Sequence, residues 1–246
     1  MFWLKCGSSL LSALAMLVAP AIPPGTAIPV ALSSTLDAKK DKPGQKIEGR
    51  VMQDVPLAPG EKIKAGAHDI GHIVEVTRPA GRGSRMVLKF DQLEAGGKKI
   101  PLTASVRAIA AMEEVYQAEI PINPLSDGES TNMWVMRQVG GDIVNRRLGL
   151  VGAGDAVVGR WTRGAPWAKL AYVSGCPPHD VPSYEQAMWV FSVGACGVFG
   201  LKDVKLVNAG DGAPAGQIVL ESEQDLHVGG RSGWFLVVNA APAATK

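Results

Sequence analysis

A chain of 246 residues, 46% hydrophobic with 29 Gly and 17 Pro, is long enough to bury a core without a metal or a disulfide. Its formal net charge of +2, with no stripe of Lys and Arg, argues against a nucleic-acid partner. Lys39, Lys40 and Lys42 do cluster, but beside Asp37, Asp41 and Pro43 they read as a solvated turn.

The opening 21 residues, MFWLKCGSSLLSALAMLVAPA, carry one Lys, then an apolar run over 10–18, then Ala19-Pro20-Ala21. That order is expected of a cleaved secretory signal, with the mature chain starting near Ile22. The run falls short of the roughly 20 apolar residues that span a bilayer, so an uncleaved anchor is the secondary reading. Cys6 precedes the run and is not placed for lipid attachment. No later segment is apolar enough to cross as a helix. The expected location is outside the cytoplasm: periplasmic, associated with an outer membrane, or secreted.

From residue 22 onward the periodicity is two, the mark of half-buried strands. Ile28, Val30 and Leu32 alternate, then Ile47, Gly49 and Val51, then Ile70, Val74 and Val76. Met86, Leu88 and Phe90 follow, and Ile100, Leu102, Ala104 and Val106 close the series. Turn residues separate them at Lys42-Pro43-Gly44, Pro59-Gly60, Ala65-Gly66 and Gly96-Gly97. Short strands at this spacing predict an antiparallel barrel or sandwich over 22–122. The single helix is expected over 108–119, AIAAMEEVYQAE, with an extended connector as the alternative. NPLSDGEST, 123–131, is the expected linker. A second β-rich region fills 132–239, with a strand at MWVMRQV, a Gly-rich stretch of weak pattern up to 168, and strands at AMWVFSV, GVFGL, DVKLV, GQIVLES, DLHV and WFLVV. The last two, joined by GGRSG, read as a hairpin. Residues 240–246 read as a disordered tail.

Without the signal the cysteines are two, Cys176 and Cys196. In an oxidising compartment that pair favours a disulfide, which would close a loop of about 20 residues and contribute roughly 3 kcal/mol. The alternatives are a metal site, for which only His179 adds a ligand where three or four are usual, and free thiols. The expected fold class is thus mainly β with one short helix, its second half stapled by Cys176–Cys196.

The catalytic candidates are weak. His68 and His72 lie on a strand, where four residues hold them ~13 Å apart, too far for one ion. Gly152, Gly154 and Gly159 echo a dinucleotide loop, but no helix follows them. No G-x-S-x-G elbow occurs. His179, Asp180 and Glu185 are the one constellation for a secreted hydrolase. No catalytic residue, metal ligand or cofactor is therefore assigned. The aromatics Trp134, Trp161, Trp167, Trp189 and Tyr172 concentrate in the second half, with Trp189 beside Phe191 suggesting core. Trp161 and Trp167, in GRWTRGAPWAK, are the candidate ligand-binding residues, since exposed Trp faces stack on sugars.

PPGTAIPVAL (23–32), DKPGQ (41–45), VMQDV (51–55), IKAG (63–66), Gly71, FDQL (90–93) and GGKKIPL (96–102) together resemble the C-terminal β-barrel domain of the TrbI/VirB10 family of type IV secretion scaffolds. The resemblance implies a related β fold over about residues 22–106 and envelope or secretion-complex proteins as partners. The chain departs from the family in having a signal-like start in place of an inner-membrane helix and proline-rich linker. It departs again after IPL, where TASVRAIAAMEEVY stands. The expected function is that of an exported, non-enzymatic envelope protein, structural or adhesive, with a glycan- or peptidoglycan-binding module as the alternative.

Overall fold

The computed structural model describes residues 22–58, 60–79, 83–122, 135–146, 148–162, 165–207 and 216–240. The leader (1–21), the linker (123–131), Trp134 and most of the tail (241–246) lie outside the described residues.

The protein is mainly β, with one short helix and a nearly closed, barrel-like sheet. The first half contributes β1 (Ala27–Leu32), β2 (Leu36–Asp37), β3 (Lys46–Val51), β4 (Val55–Ala58), β5 (Glu61–Ile63) and β6 (His68–Thr77). It continues with β7 (Ser84–Ala95), β8 (Lys98–Pro101), β9 (Ala104–Ala110) and helix α1 (Met112–Glu119). Then come β10 (Val135–Arg137), β11 (Ile143–Asn145), β12 (Leu150–Ala153), β13 (Ala156–Thr162), β14 (Ala165–Ala168) and β15 (Gln186–Ala187). The chain finishes through β16 (Gly197–Phe199), β17 (Val204–Leu206), β18 (Gln217–Ser222), β19 (His227–Val228) and β20 (Gly233–Val238).

The large sheet runs β16-β9-β20-β1-β3-β6-β7-β18-β17, with β8 also on β7. Its two end strands, β16 and β17, are consecutive in the chain, so the sheet curls round until its ends are neighbours. Every pairing is antiparallel except β16 on β9. The sheet is not confined to 22–122: β20 lies between β1 and β9, and β18 beside β7. A second sheet, β10 to β15, is an antiparallel meander.

Two apolar cores result. Inside the barrel, Ile28, Val30, Leu32, Met86, Leu88, Phe90 and Leu236 pack, and the Phe90 and Trp234 rings meet edge to face at 6.0 Å. The even-numbered alternation expected on β1 and β7 is what buries these residues. Against the outside of β1, β9 and β20 lies the second core, where Phe191 stacks on Phe235 at 5.0 Å beside Ala108, Val115 and Met188. Strands covered on both faces need apolar residues on both, which is why all six residues of β20, GWFLVV, are buried.

Several expectations about individual elements shift. The helix spans 112–119, not 108–119, because Ala108 and Ile109 are claimed by pairing with β20 and β16. Glu113 and Glu114 then sit in its first turn, where the helix dipole favours them. The weakly patterned stretch up to 168 is four strands, β11 to β14, of which three have only three or four residues, too short to establish a period. AMWVFSV is a strand only at its first residue. Trp189 takes φ 45°, and its amide donates to the Gln53 side chain instead of a ladder. DLHV and WFLVV are no hairpin, since β19 pairs with β2 while β20 pairs with β1 and β9.

On β6 the inward face is Asp69, Gly71 and Ile73, not Ile70 and Val74. Bulges at Ile70/Gly71 and Ile73/Glu75 adjust the register against β7. Gly71 is required there: a Cβ would lie 2.1 Å from the Lys89 carbonyl oxygen. The inward Asp69 is fully buried, and neither carboxylate oxygen has a hydrogen-bond partner among the described residues.

Cys176 and Cys196 are joined as a disulfide, with Cα atoms 6.2 Å apart. Replacing both by Ser should cost roughly 3 kcal/mol in urea unfolding, the loop entropy returned to the unfolded chain. Reductant should bring the native protein to the stability of that variant and leave the variant unmoved. Equal stability of the oxidised protein and the variant would show that the bond constrains nothing.

Candidate functional site

Two grooves flank the β4–β5 hairpin. The smaller, about 480 Å³, lies between this hairpin and the β13–β14 strands. Its far wall follows from register. Arg160 pairs with Trp167 and Thr162 with Ala165, so these four side chains share one face of the second sheet, and all four line the groove. The near wall is Met52, Gln53, Asp54, Lys62 and Ala65.

Gln53 fixes the two walls against each other. Its amide donates to the Pro166 carbonyl at 2.9 Å, and its oxygen accepts from the Trp189 amide at 2.7 Å, with the side chain buried. Asp54 organises the hairpin side. Its carboxylate lies 2.6 Å from Lys62 Nζ and 3.4 Å from Lys64 Nζ, and accepts from the Ala65 amide at 3.0 Å. Burial pushes the Asp54 carboxyl up, but Lys62, the Ala65 amide and Lys64 outweigh it and hold the group down at about 2. Across the groove, Arg160 Nε donates to Glu185 at 2.7 Å, and its guanidinium stands 5.9 Å from the centre of the Trp167 ring.

The larger groove, about 1040 Å³, opens on the other side of the hairpin and is bounded beyond by the β7–β8 hairpin. The Gly96-Gly97 turn of that hairpin takes positive φ at both residues, the conformation that matches strand twist. Lys62 and Ala65 line both grooves, so the hairpin is a shared wall.

Among the residues expected to bind, Trp167 is placed half-buried in the smaller groove, and Trp161 is not. Trp161 pairs with Pro166 and so faces the other side of the sheet, where Arg146 lies 5.0 Å over its ring. One ligand cannot stack on both. His179 and Asp180 are exposed, while Glu185 is turned to Arg160. His72 Nδ1 is 2.6 Å from Asp91, and His68 pairs across the sheet with Glu94. Gly152 and Gly159 belong to β12 and β13, a hairpin and not a phosphate loop. Trp189 contacts Phe191 edge to face at 6.3 Å, as core packing requires.

Sequence reading missed Gln53, Asp54, Lys62 and Arg160. The signal for the first two was VMQDV, which interrupts an apolar alternation with two polar residues. Arg160 had none, because its neighbour Trp167 is set by strand register.

The second region is pinned to the barrel by Arg107, a fully buried arginine on β9. It donates from Nε to the Ala195 carbonyl at 2.9 Å and from Nη1 to Pro177 at 2.7 Å. From Nη2 it donates to Ala171 at 2.7 Å and Val193 at 3.2 Å. Burial lowers its pKa to about 10, still above physiological pH, so the group is a cation held by four backbone dipoles. The disulfide joins the two segments that supply these carbonyls.

A mainly β, disulfide-linked protein with a barrel-like sheet and a Trp-walled groove is the class that fold and site define. No family model, curated protein or solved structure matches the chain, so the likeness to TrbI/VirB10 rests on its motifs alone.

Proposed function

We propose that this is an exported, non-enzymatic protein of the cell envelope, adhesive in role, that holds a glycan in the groove beside Trp167. One observation carries the reading: a half-buried indole shares a groove with hydrogen-bonding side chains of both signs, Arg160, Asp54 and Lys62, and with the Thr162 hydroxyl. Sugars present apolar faces rimmed by hydroxyls, and an aromatic plane with charged donors and acceptors around it matches both features.

Trp167→Ala should weaken binding to soluble peptidoglycan strands roughly 10- to 50-fold, as loss of a central aromatic anchor does. Trp167→Tyr should keep part of the affinity, and Trp161→Ala should leave it unchanged. Calorimetric titration, with melting curves recorded on the same samples, checks this. Unchanged affinity in a folded Trp167→Ala protein would end the glycan reading.

A second reading, a structural part of an envelope assembly, is favoured by the motifs shared with TrbI/VirB10. Those at 41–45, 63–66 and 96–102 fall at turns or strand starts of the barrel-like sheet and the β4–β5 hairpin. Crosslinking in membranes of the source cell should then capture companion envelope proteins, and recovery of the protein alone would count against it.

A further inference from the structure

The larger groove holds features that a bare sugar chain would leave unused. Its floor is the rim of the barrel core, with Ile63 and Ile100 buried and Leu57 packed beside them. Glu61 stands exposed on the wall formed by the β4–β5 hairpin, and Lys98 stands exposed on the wall formed by the β7–β8 hairpin. Neither has an ion-pair partner among the described residues, whereas their neighbours are engaged: Lys62 and Lys64 with Asp54, and Lys99 with Glu94 at 3.5 Å. The groove therefore offers one unpaired carboxylate, one unpaired ammonium and an apolar floor. It adjoins the Trp167 groove, with Lys62 and Ala65 lining both.

We infer that the ligand is a glycopeptide: its sugar lies on Trp167, and a short peptide branch crosses the hairpin into the larger groove. There Lys98 meets a free carboxylate of the branch, Glu61 meets a free amine, and small apolar side chains rest against Ile63 and Ile100. A polyanion would leave Glu61 repelled, and a polycation would leave Lys98 repelled, so a branch bearing both charges fits the pair best. The inference rests on the glycan reading of the Trp167 groove and adds the peptide half of the ligand.

The probes are peptidoglycan strands with their stem peptides and the same strands after amidase has removed them. Exposed charge pairs are individually weak, so intact strands should bind about 10-fold tighter than stripped ones. Lys98→Gln and Glu61→Gln should each reduce binding of intact strands roughly threefold and leave stripped strands unaffected. Raised salt should narrow the difference between the two probes. Trp167→Ala should weaken both. If intact and stripped strands bind equally, and neither groove variant changes either, the peptide branch is wrong while the Trp167 site stands. If Trp167→Ala leaves the stripped strands bound as before, the glycan reading itself fails. Tighter binding of polyglutamate than of intact strands, lost in Lys98→Gln, would replace the glycopeptide with an acidic chain and overturn the inference.

Discussion

Arg107→Ala should be the most damaging single substitution in the protein, lowering stability by about 4 kcal/mol or more. Two costs add. The side chain is fully buried, so its removal opens a cavity, worth about 2–5 kcal/mol for large side chains. It also strands the Ala171, Pro177 and Ala195 carbonyls, while the Val193 carbonyl keeps the Ala171 amide, and hydrogen bonds to a charged donor are worth about 1.5–3 kcal/mol each before any rearrangement. The sum is not additive, because water entering the cavity would reclaim part of it. Arg107→Lys preserves the charge but not the planar fork, and should lose about half as much. Urea unfolding of both variants checks this, with near-ultraviolet circular dichroism to report whether the second core loosens first. Should the alanine variant be too unstable to purify, the lysine variant still decides the matter, since an unaltered midpoint would mean the four bonds hold nothing.

Asp69→Asn should do the opposite and stabilise the protein, by an amount that depends on pH. Burial raises the Asp69 carboxyl well above the ordinary carboxylate range, and the nearby Asp91 charge raises it further; the dipole of the adjacent Ile70 amide, which makes no full hydrogen bond to it, offsets only part. Asp91 in turn lies against His72 and Lys89 on the outer face, and these are the charged groups around it. A carboxyl with a raised folded pKa binds its proton more tightly in the native state than in the unfolded chain. Its contribution is therefore complete below the unfolded pKa near 4 and is lost as pH climbs through the folded value. Across that window the native protein should lose up to about 1.4 kcal/mol per pH unit from this residue alone. The asparagine variant lacks that loss. The two should be close in stability at pH 3 and diverge by at least about 1–3 kcal/mol at pH 7 in favour of the variant. Parallel stability curves from pH 3 to 8 would show that Asp69 is neither buried nor neutral in solution.

These two residues also mark where sequence reading stopped. Met86, Leu88 and Phe90 announced their strand because every second side chain enters one core, and the same holds for Ile28, Val30 and Leu32. On β6 the same logic pointed to Ile70 and Val74, because Asp69 and Gly71 are the last residues one would assign to a core. Two bulges and the close approach of the Lys89 backbone chose the register instead. Arg107 had a visible sign, a lone charge inside SVRAIA, but its partners are carbonyls 64–88 positions away, which no local pattern discloses. The cysteine pair was legible from its count and from the compartment the leader led one to expect. The groove was half legible. Trp167 could be singled out by type and setting, yet its separation from Trp161 follows from which residue it opposes on β13, a tertiary fact.

The position of β20 has a consequence for how the molecule comes into being. Because Gly233–Val238 forms the seam between β1 and β9, the wall has a gap until these residues have been synthesised. The amino-terminal strands must wait, unsealed and slow to pair, for a partner some two hundred residues downstream. A polypeptide built this way leaves that wall unsealed until β20 arrives, a delay that would suit the export proposed for it.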